Sequence, residues 1–265
     1  MSAEFLQRVM DAKRRELSLL GDRVREELRD QALDARRDHS PRFRLALLAQ
    51  PTAIIAEFKR HSPSAGDIQS GADPLEIARL YESGGAAAMS VLTESEHFKG
   101  SLDDLRLVSS AVKLPLLRKD FMVDRHQVYE AALAGAEAVL VIVAGLSDAD
   151  ALKLLDAAHQ VHLDALVEVH TAEELQRAST LGATLIGVNN RNLKTLKVDL
   201  NTSLQLAELA PSNATLVAES GLRTRADIER LQSAGYKAFL IGETLMRSGD
   251  PLATLRELQA VEQKQ

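Results

Sequence analysis

The sequence predicts a (β/α)8 barrel, or TIM barrel, with an N-terminal helical extension. Three observations predict it. Four segments share one plan, a glycine closing a helix, then small residues, then an apolar strand: residues 84–92, 135–142, 182–188 and 235–241. Their glycines Gly85, Gly135, Gly182 and Gly235 fit the left-handed position that ends a helix, and they recur 47 to 53 residues apart. Four more apolar strands, at 53–58, 115–118, 163–168 and 214–218, alternate with these, and helical periodicity follows every strand. Strands so continuously apolar are buried on both faces, as in a parallel sheet. Eight such units match a closed barrel. A doubly wound open sheet is the runner-up, but no G-x-G-x-x-G follows any strand. The expected organisation is one domain over residues 1–265, with 1–50 as the extension.

Taken in order, residues 4–36 place Phe5, Val9, Met10, Leu17, Leu20, Val24 and Leu28 at helical spacing among charges, with Gly21 as an interruption. Such a helix packs on the domain surface, with a dimer contact or a lid as alternatives. Residues 38–51, with Pro41 and Pro51, read as a connection into strand 1. The helices that follow are expected at about 74–83, 101–112, 124–134, 148–160, 172–181, 201–210, 224–234 and 251–262. Asp73-Pro74 supplies a cap followed by proline at the first helical position.

Composition bounds the function. Hydrophobic residues are 45% of the chain but aromatics only 3%, and tryptophan is absent, so the core is aliphatic. A net charge of −6 argues against a nucleic-acid groove. With no cysteine, disulfides and thiolate catalysis are excluded. No apolar run approaches membrane-spanning length and residues 1–37 hold no apolar signal core, so a cytoplasmic protein off the membrane is expected. The seven histidines show no H-x-H or H-E-x-x-H spacing, so no metal site is expected.

A barrel places its chemistry at the C-terminal ends of its strands. Strand 1 ends in Glu57 and Lys59, two residues apart and so on one face. Strand 3 offers Lys119 and Asp120, strand 5 Glu168, strand 6 Asn189 and Arg191, strand 7 Glu219 and Ser220, and strand 8 Gly242 and Glu243. Any one of these is ordinarily just the point where a strand meets water. Six strands of eight ending so is harder to dismiss. The glycine-containing loops after strands 7 and 8, Ser220-Gly221 and Gly242-Glu243, stand where barrels cradle phosphate. Lys59 and Lys119 are the acid–base candidates, and as neighbouring cations they are expected to lower each other's pKa.

These strand ends carry a resemblance. The chain resembles the indole-3-glycerol-phosphate synthase family along roughly residues 4–255, through Ile55-Ala56-Glu57-Phe58-Lys59-Arg60-His61-Ser62-Pro63-Ser64, Leu92-Thr93-Glu94 with Phe98-Lys99-Gly100-Ser101, Leu117-Arg118-Lys119-Asp120-Phe121 and Val167-Glu168-Val169-His170. It continues through Ile186-Gly187-Val188-Asn189-Asn190-Arg191-Asn192-Leu193, Ala218-Glu219-Ser220-Gly221 and Ile241-Gly242-Glu243-Thr244-Leu245-Met246-Arg247.

The resemblance implies a carboxy-lyase of tryptophan biosynthesis. It would close, decarboxylate and dehydrate 1-(2-carboxyphenylamino)-1-deoxyribulose 5-phosphate, with no cofactor or metal. It further implies Lys119 as general acid, Lys59 as a second cation on the substrate, and Glu168 as base. Glu57 and Asn189 would orient these groups, and Arg191 would supply charge and positioning. Ser62, Ser220, Gly221, Gly242 and Glu243 would contact substrate, the last four around phosphate. Phe98, Phe121, Leu140 and Leu193 would form the aromatic slot. The implied partner is a small phosphorylated substrate, and a monomer is expected. Two departures matter. Glu243 stands where relatives often have serine, so only its backbone N–H should face the anion. The N-terminal helix lacks tryptophan, leaving Phe5 as its aromatic residue. The rival readings are a neighbouring phosphate-binding isomerase, against which Lys119 with Glu168 speaks, and a non-catalytic metabolite-binding barrel, against which a full set of acid–base candidates speaks. With the chain closing at Gln265, no room for a fused second pathway enzyme is expected.

Overall fold

The computed structural model describes residues 3–259. Eight strands form a closed barrel: β1 Ala53–Phe58, β2 Ala88–Leu92, β3 Leu116–Lys119, β4 Ala138–Ile142, β5 Asp164–Val169, β6 Leu185–Asn189, β7 Thr215–Glu219 and β8 Ala238–Ile241. All neighbours are parallel, and β1 closes the ring by pairing with both β8 (Ala53 opposite Ala238) and β2 (Ile55 opposite Ala88). The expected left-handed glycines are all present: φ is 82° at Gly85, 87° at Gly135, 80° at Gly182 and 103° at Gly235. Each turns the chain from a helix back into a strand without the strain a Cβ would bring.

The expected helices are found with ends adjusted by a residue or so, except that the one after β6 stops at Ala207. The last runs over Pro251–Gln259, and the rest of the expected span to 262 lies outside the described residues. Asp73 caps its helix by accepting from Leu75 N–H at 2.8 Å. The core is aliphatic, as composition requires, with Tyr81, Tyr236, Phe43, Phe58 and Phe239 as its largest buried rings.

The extension is built of α1 Ala3–Ser18, α2 Asp22–Ala35 and α3 Phe43–Leu48. Gly21 breaks the periodicity where expected, standing just ahead of α2. The stretch 38–51 is more than a connection: α3 buries Phe43 and Leu47 completely against the first strands. Six residues between two prolines give too short an apolar period to distinguish from a loop.

The extension spans the barrel from end to end. At the floor, Arg36 meets the buried Glu137, just ahead of β4, at 3.1 Å, and His39 and Arg42 reach the same carboxylate at 2.8 and 3.1 Å. Burial alone would raise the pKa of Glu137, but His39 and Arg36 outweigh it and hold it below the ordinary carboxylate value. At the mouth, Ala3 N–H donates to Leu193 O at 2.7 Å, and the Phe5 ring meets His97 edge-on at 4.7 Å. Between these ends, α1 buries Leu6, Val9 and Met10. Arg25 on α2 pairs with Asp124 at 2.9 Å.

Candidate active site

The strand ends converge on one cavity of about 460 Å³ at the C-terminal mouth of the barrel. Every residue singled out in the sequence lines it: Glu57, Lys59, Ser62, Phe98, Lys119, Phe121, Leu140, Glu168, Asn189, Arg191, Leu193, Ser220, Gly221, Gly242 and Glu243. The barrel supplies this convergence, since side chains at the last inward positions of adjacent strands share one small opening.

At the centre stands Lys119, the last residue of β3. Its Nζ donates to Glu168 Oε2 and to Glu219 Oε2, each at 3.1 Å. Burial alone would lower its pKa, but the carboxylates of Glu168, Glu219 and Glu57 outweigh burial and raise it above the ordinary lysine value. This corrects the expectation of a depressed Lys119. Lys59 is instead paired with Glu57, Nζ to Oε1 at 2.5 Å, so the cations face acids.

The two carboxylates on Lys119 are not equivalent. Glu168 Oε1 accepts from Asn189 Nδ2 at 3.2 Å and lies 3.3 Å from His170 Nε2, while its Oε2 takes Lys119. Asn189 is itself held, its Oδ1 accepting from Arg191 N–H at 3.0 Å. Burial would raise the Glu168 pKa, but Lys119 and then His170 outweigh it and hold the group well below the carboxylate range. Among the described residues Glu219 has Lys119 alone, and its Oε1 is buried without a hydrogen-bond partner, pressed over Gly187. Burial dominates there, Lys119 opposes it, and Glu168 adds repulsion, so Glu219 is pushed up to about 7. One carboxylate is therefore a fixed anion, while its neighbour takes up a proton near neutrality.

Glu57 sits at the end of β1, where any Cβ on Gly242 would fall 2.3 Å from its Oε1. Glycine at 242 thus leaves room for the acid. Beyond β1 the chain forms a short antiparallel hairpin, His61–Ser62 with Gly66–Asp67. The hairpin carries Ser62, whose Oγ accepts from Ala65 N–H at 3.1 Å. After β7, Ser220 and Gly221 are successive left-handed residues, φ 68° and 82°. Asn190 braces this turn, its Nδ2 donating to Glu219 O at 3.1 Å and Ser220 O at 3.2 Å. Gly242 precedes the short helix Glu243–Met246. The Glu243 carboxylate accepts from Arg247 Nε at 3.2 Å. Arg247 also donates to Ala65 O at 3.1 Å, joining this turn to the hairpin.

The opposite wall is apolar. Phe98 and Phe121 stand with ring centroids 6.1 Å apart, beside Leu140 and Leu193. Among the described residues Glu94, Glu96 and His97 come close enough to hold a cation. Glu94 is already engaged, however, accepting from the N–H groups of Glu96, His97 and Phe98 at 3.1, 2.7 and 3.0 Å. It shapes the loop that presents Phe98.

A polar floor of alternating cations and acids, a turn rich in left-handed backbone, and an aromatic slot form a site for an anionic, partly aromatic molecule. A family model described as indole-3-glycerol phosphate synthase matches residues 6–258. The chain belongs to the indole-3-glycerol phosphate synthase family. The indole-3-glycerol phosphate synthase of Koribacter versatilis (strain Ellin345) is 50% identical over 258 residues, 96% of this chain and 98% of that protein. That of Nocardioides sp. (strain ATCC BAA-499 / JS614) is 50% identical over 230 residues, 87% of each. A crystal structure of 3-hexulose-6-phosphate synthase superposes with a TM-score of 0.63 at 20% identity, covering 80% of this chain and 99% of that one, and shares the fold alone. The synthase family is a carboxy-lyase family of tryptophan biosynthesis acting on a small phosphorylated substrate. No helix among the described residues is long and apolar enough to cross a membrane.

Two neighbours in the synthase site carry no role legible in the sequence. Glu219 was visible as a strand end but had nothing to mark it as the second acid on Lys119. His170 closes the Val167–His170 motif with no role attached to it. The available signal was its spacing, two residues after Glu168 and hence on the same side of the chain.

Proposed function

We propose that this cavity closes the indole ring of 1-(2-carboxyphenylamino)-1-deoxyribulose 5-phosphate, with Lys119 as the general acid. The observation that carries the reading is the placement of Lys119. It is a buried, protonated lysine held between Glu168 and Glu219, with the aromatic slot on one side and the Ser220–Gly221 and Gly242–Glu243 turns on the other.

The substrate's carboxyphenyl ring lies against Phe98, Phe121, Leu140 and Leu193. Its phosphate lies at the backbone of Ser220, Gly221, Gly242 and Glu243, with the Glu243 side chain turned toward Arg247. Lys59 and Arg191 attract the substrate's charges, and Ser62 contacts it from the hairpin. The ring carbon bearing the carboxylate attacks the ketone carbon, and Lys119 delivers a proton to the ketone oxygen. Carbon dioxide departs and leaves its electron pair to restore the aromatic ring. The new hydroxyl then leaves as water after taking a proton from an acid, and Glu168 takes the proton from the adjacent carbon.

The electrostatics make this order self-consistent. While Lys119 is charged, Glu168 is too weak a base. Once Lys119 has given up its proton, its cation no longer stands 3.1 Å from Glu168, and the carboxylate becomes more basic. Glu57 and Asn189 keep Lys59 and Glu168 in place. Glu219, protonated near neutrality, joins Lys59 as a candidate donor to the departing hydroxyl. A single-domain monomer in the cytoplasm belongs to the same proposal.

The test is the fluorescence of the indole product formed from the carboxyphenylamino substrate. Lys119→Ala should abolish turnover while leaving the affinity for a substrate analogue within about tenfold, as for a group acting in the transition state. Unchanged turnover would remove Lys119 from the mechanism.

A further inference from the structure

The base assigned above is itself gripped from behind. His170 follows β5 by one residue and is buried, with only 4% of its side chain exposed. Its Nδ1 lies 3.1 Å from Glu174 Oε2, and that same oxygen accepts the His170 backbone N–H at 2.7 Å. Glu174 sits in the first turn of the helix Ala172–Thr180, so the ring is pinned at the junction between strand and helix. The other nitrogen, Nε2, faces Glu168 Oε1 at 3.3 Å, off the line of a hydrogen bond and without another partner among the described residues.

We propose that His170, held by Glu174, is a positioning residue for Glu168: as a cation it keeps the Glu168 carboxylate ionised and turned so that Oε2 faces Lys119 and the cavity. This rests on the reading of Glu168 as base.

The surroundings are consistent with a cation. Glu168 and Glu174 flank the ring, and Lys119 on β3 and Asn189 on β6 reach Glu168 from its other sides. The neighbouring strand β4 ends in Ile142 and leads into Val143, neither of them charged. Burial alone would lower the His170 pKa, but the two carboxylates that flank the ring, Glu168 and Glu174, outweigh it and raise the group from 6.5 to about 9. A neutral imidazole would leave Glu168 with Lys119 as its one cation. When Lys119 gives up its proton, that carboxylate would then have no positive charge beside it and only the neutral amide of Asn189 to hold it. With His170 charged, Glu168 keeps a fixed partner on Oε1 throughout the cycle, and only the cation at Oε2 comes and goes. Glu168 thus gains basicity at the step that needs it without losing its aim.

The test uses histidine-labelled full-length protein and follows the His170 imidazole nitrogens by NMR across pH in wild type, Glu168→Gln and Glu174→Gln. The expected result is a wild-type midpoint near 9 that moves down by about one pH unit or more in each variant, since the coupling is reciprocal. A wild-type midpoint at the ordinary 6.5, or one unmoved by Glu168→Gln, overturns the proposal. Kinetics give the second arm. His170→Leu, folded by circular dichroism, should lower kcat about 10- to 100-fold with KM within threefold, and His170→Gln, which retains a donor, should recover part of the loss. A folded His170→Leu with wild-type kcat overturns it as well. Should the leucine variant fail to fold, the titrations and His170→Gln decide. If wild type forms no indole product, the proposed reaction fails, while the titration still reports on the pairing of His170 with Glu168.

Discussion

Replacing Glu219 by glutamine removes the one carboxylate in the site that burial pushes toward neutrality. The wild-type group titrates at about 7 in the fold and at 4.5 in its ordinary environment. Between those values the folded protein holds a proton that the unfolded chain has released. Unfolding then releases a proton, so stability falls as pH rises, by about 1.4 kcal/mol per pH unit. The contribution is complete below 4.5 and lost as pH climbs through about 7, on the order of 3 kcal/mol across the interval. Glu219→Gln cannot titrate and lacks this dependence. The assay is urea unfolding followed by far-ultraviolet circular dichroism, since the chain has no tryptophan, at half-unit steps from pH 4.5 to 8. Wild-type stability minus variant stability should fall by roughly 3 kcal/mol up to pH 7 and then level off. Turnover should drop at least tenfold, because glutamine cannot deliver a proton to the departing hydroxyl. A flat difference curve would refute the reasoning. It would mean that Glu219 is ionised throughout and that the geometry of its unpartnered Oε1 has been misread.

Two further outcomes are expected. Gly242→Ala places a methyl group 2.3 Å from Glu57 Oε1; the backbone there, φ −118°, admits any residue, so the cost is space alone. Steady-state kinetics should show kcat/KM lowered at least tenfold, with a stability loss of about 1–3 kcal/mol. Glu137→Ala strands Arg36 at the barrel floor and should cost about 3–5 kcal/mol in urea unfolding. Because Glu137 lies at the opposite end from the cavity, kcat at 25 °C should stay near wild type for the molecules that remain folded.

The barrel was legible because its punctuation is chemical. Gly85, Gly135, Gly182 and Gly235 all adopt the left-handed conformation their place after a helix suggested. The candidate site was legible for a related reason: once eight parallel strands are recognised, Glu57, Lys119, Glu168 and Asn189 have one place to meet. What pattern could not supply was the number of partners around each group. Lys119 looked like one of two lysines repelling each other, yet three acids surround it and raise its pKa. Glu168 and Glu219 read alike as acids at strand ends, and only their partners, three for the one and a single lysine for the other, separate their behaviour. The helix Phe43–Leu48 escaped because six residues leave too little periodicity, and the hairpin after β1 because two-residue strands carry none.

The run of the extension from mouth to floor has a practical consequence for joining this protein to something else. A polypeptide attached ahead of Ala3 would begin beside Leu193, at the rim through which substrate must pass. The other end of the described chain is different: Gln259 donates to Gly85 O at 2.8 Å, in a turn that leads into the bottom of the barrel. A tag, a surface linker or a second enzyme fused there would leave the entrance clear. An immobilised catalyst made from this chain should therefore be tethered by its tail.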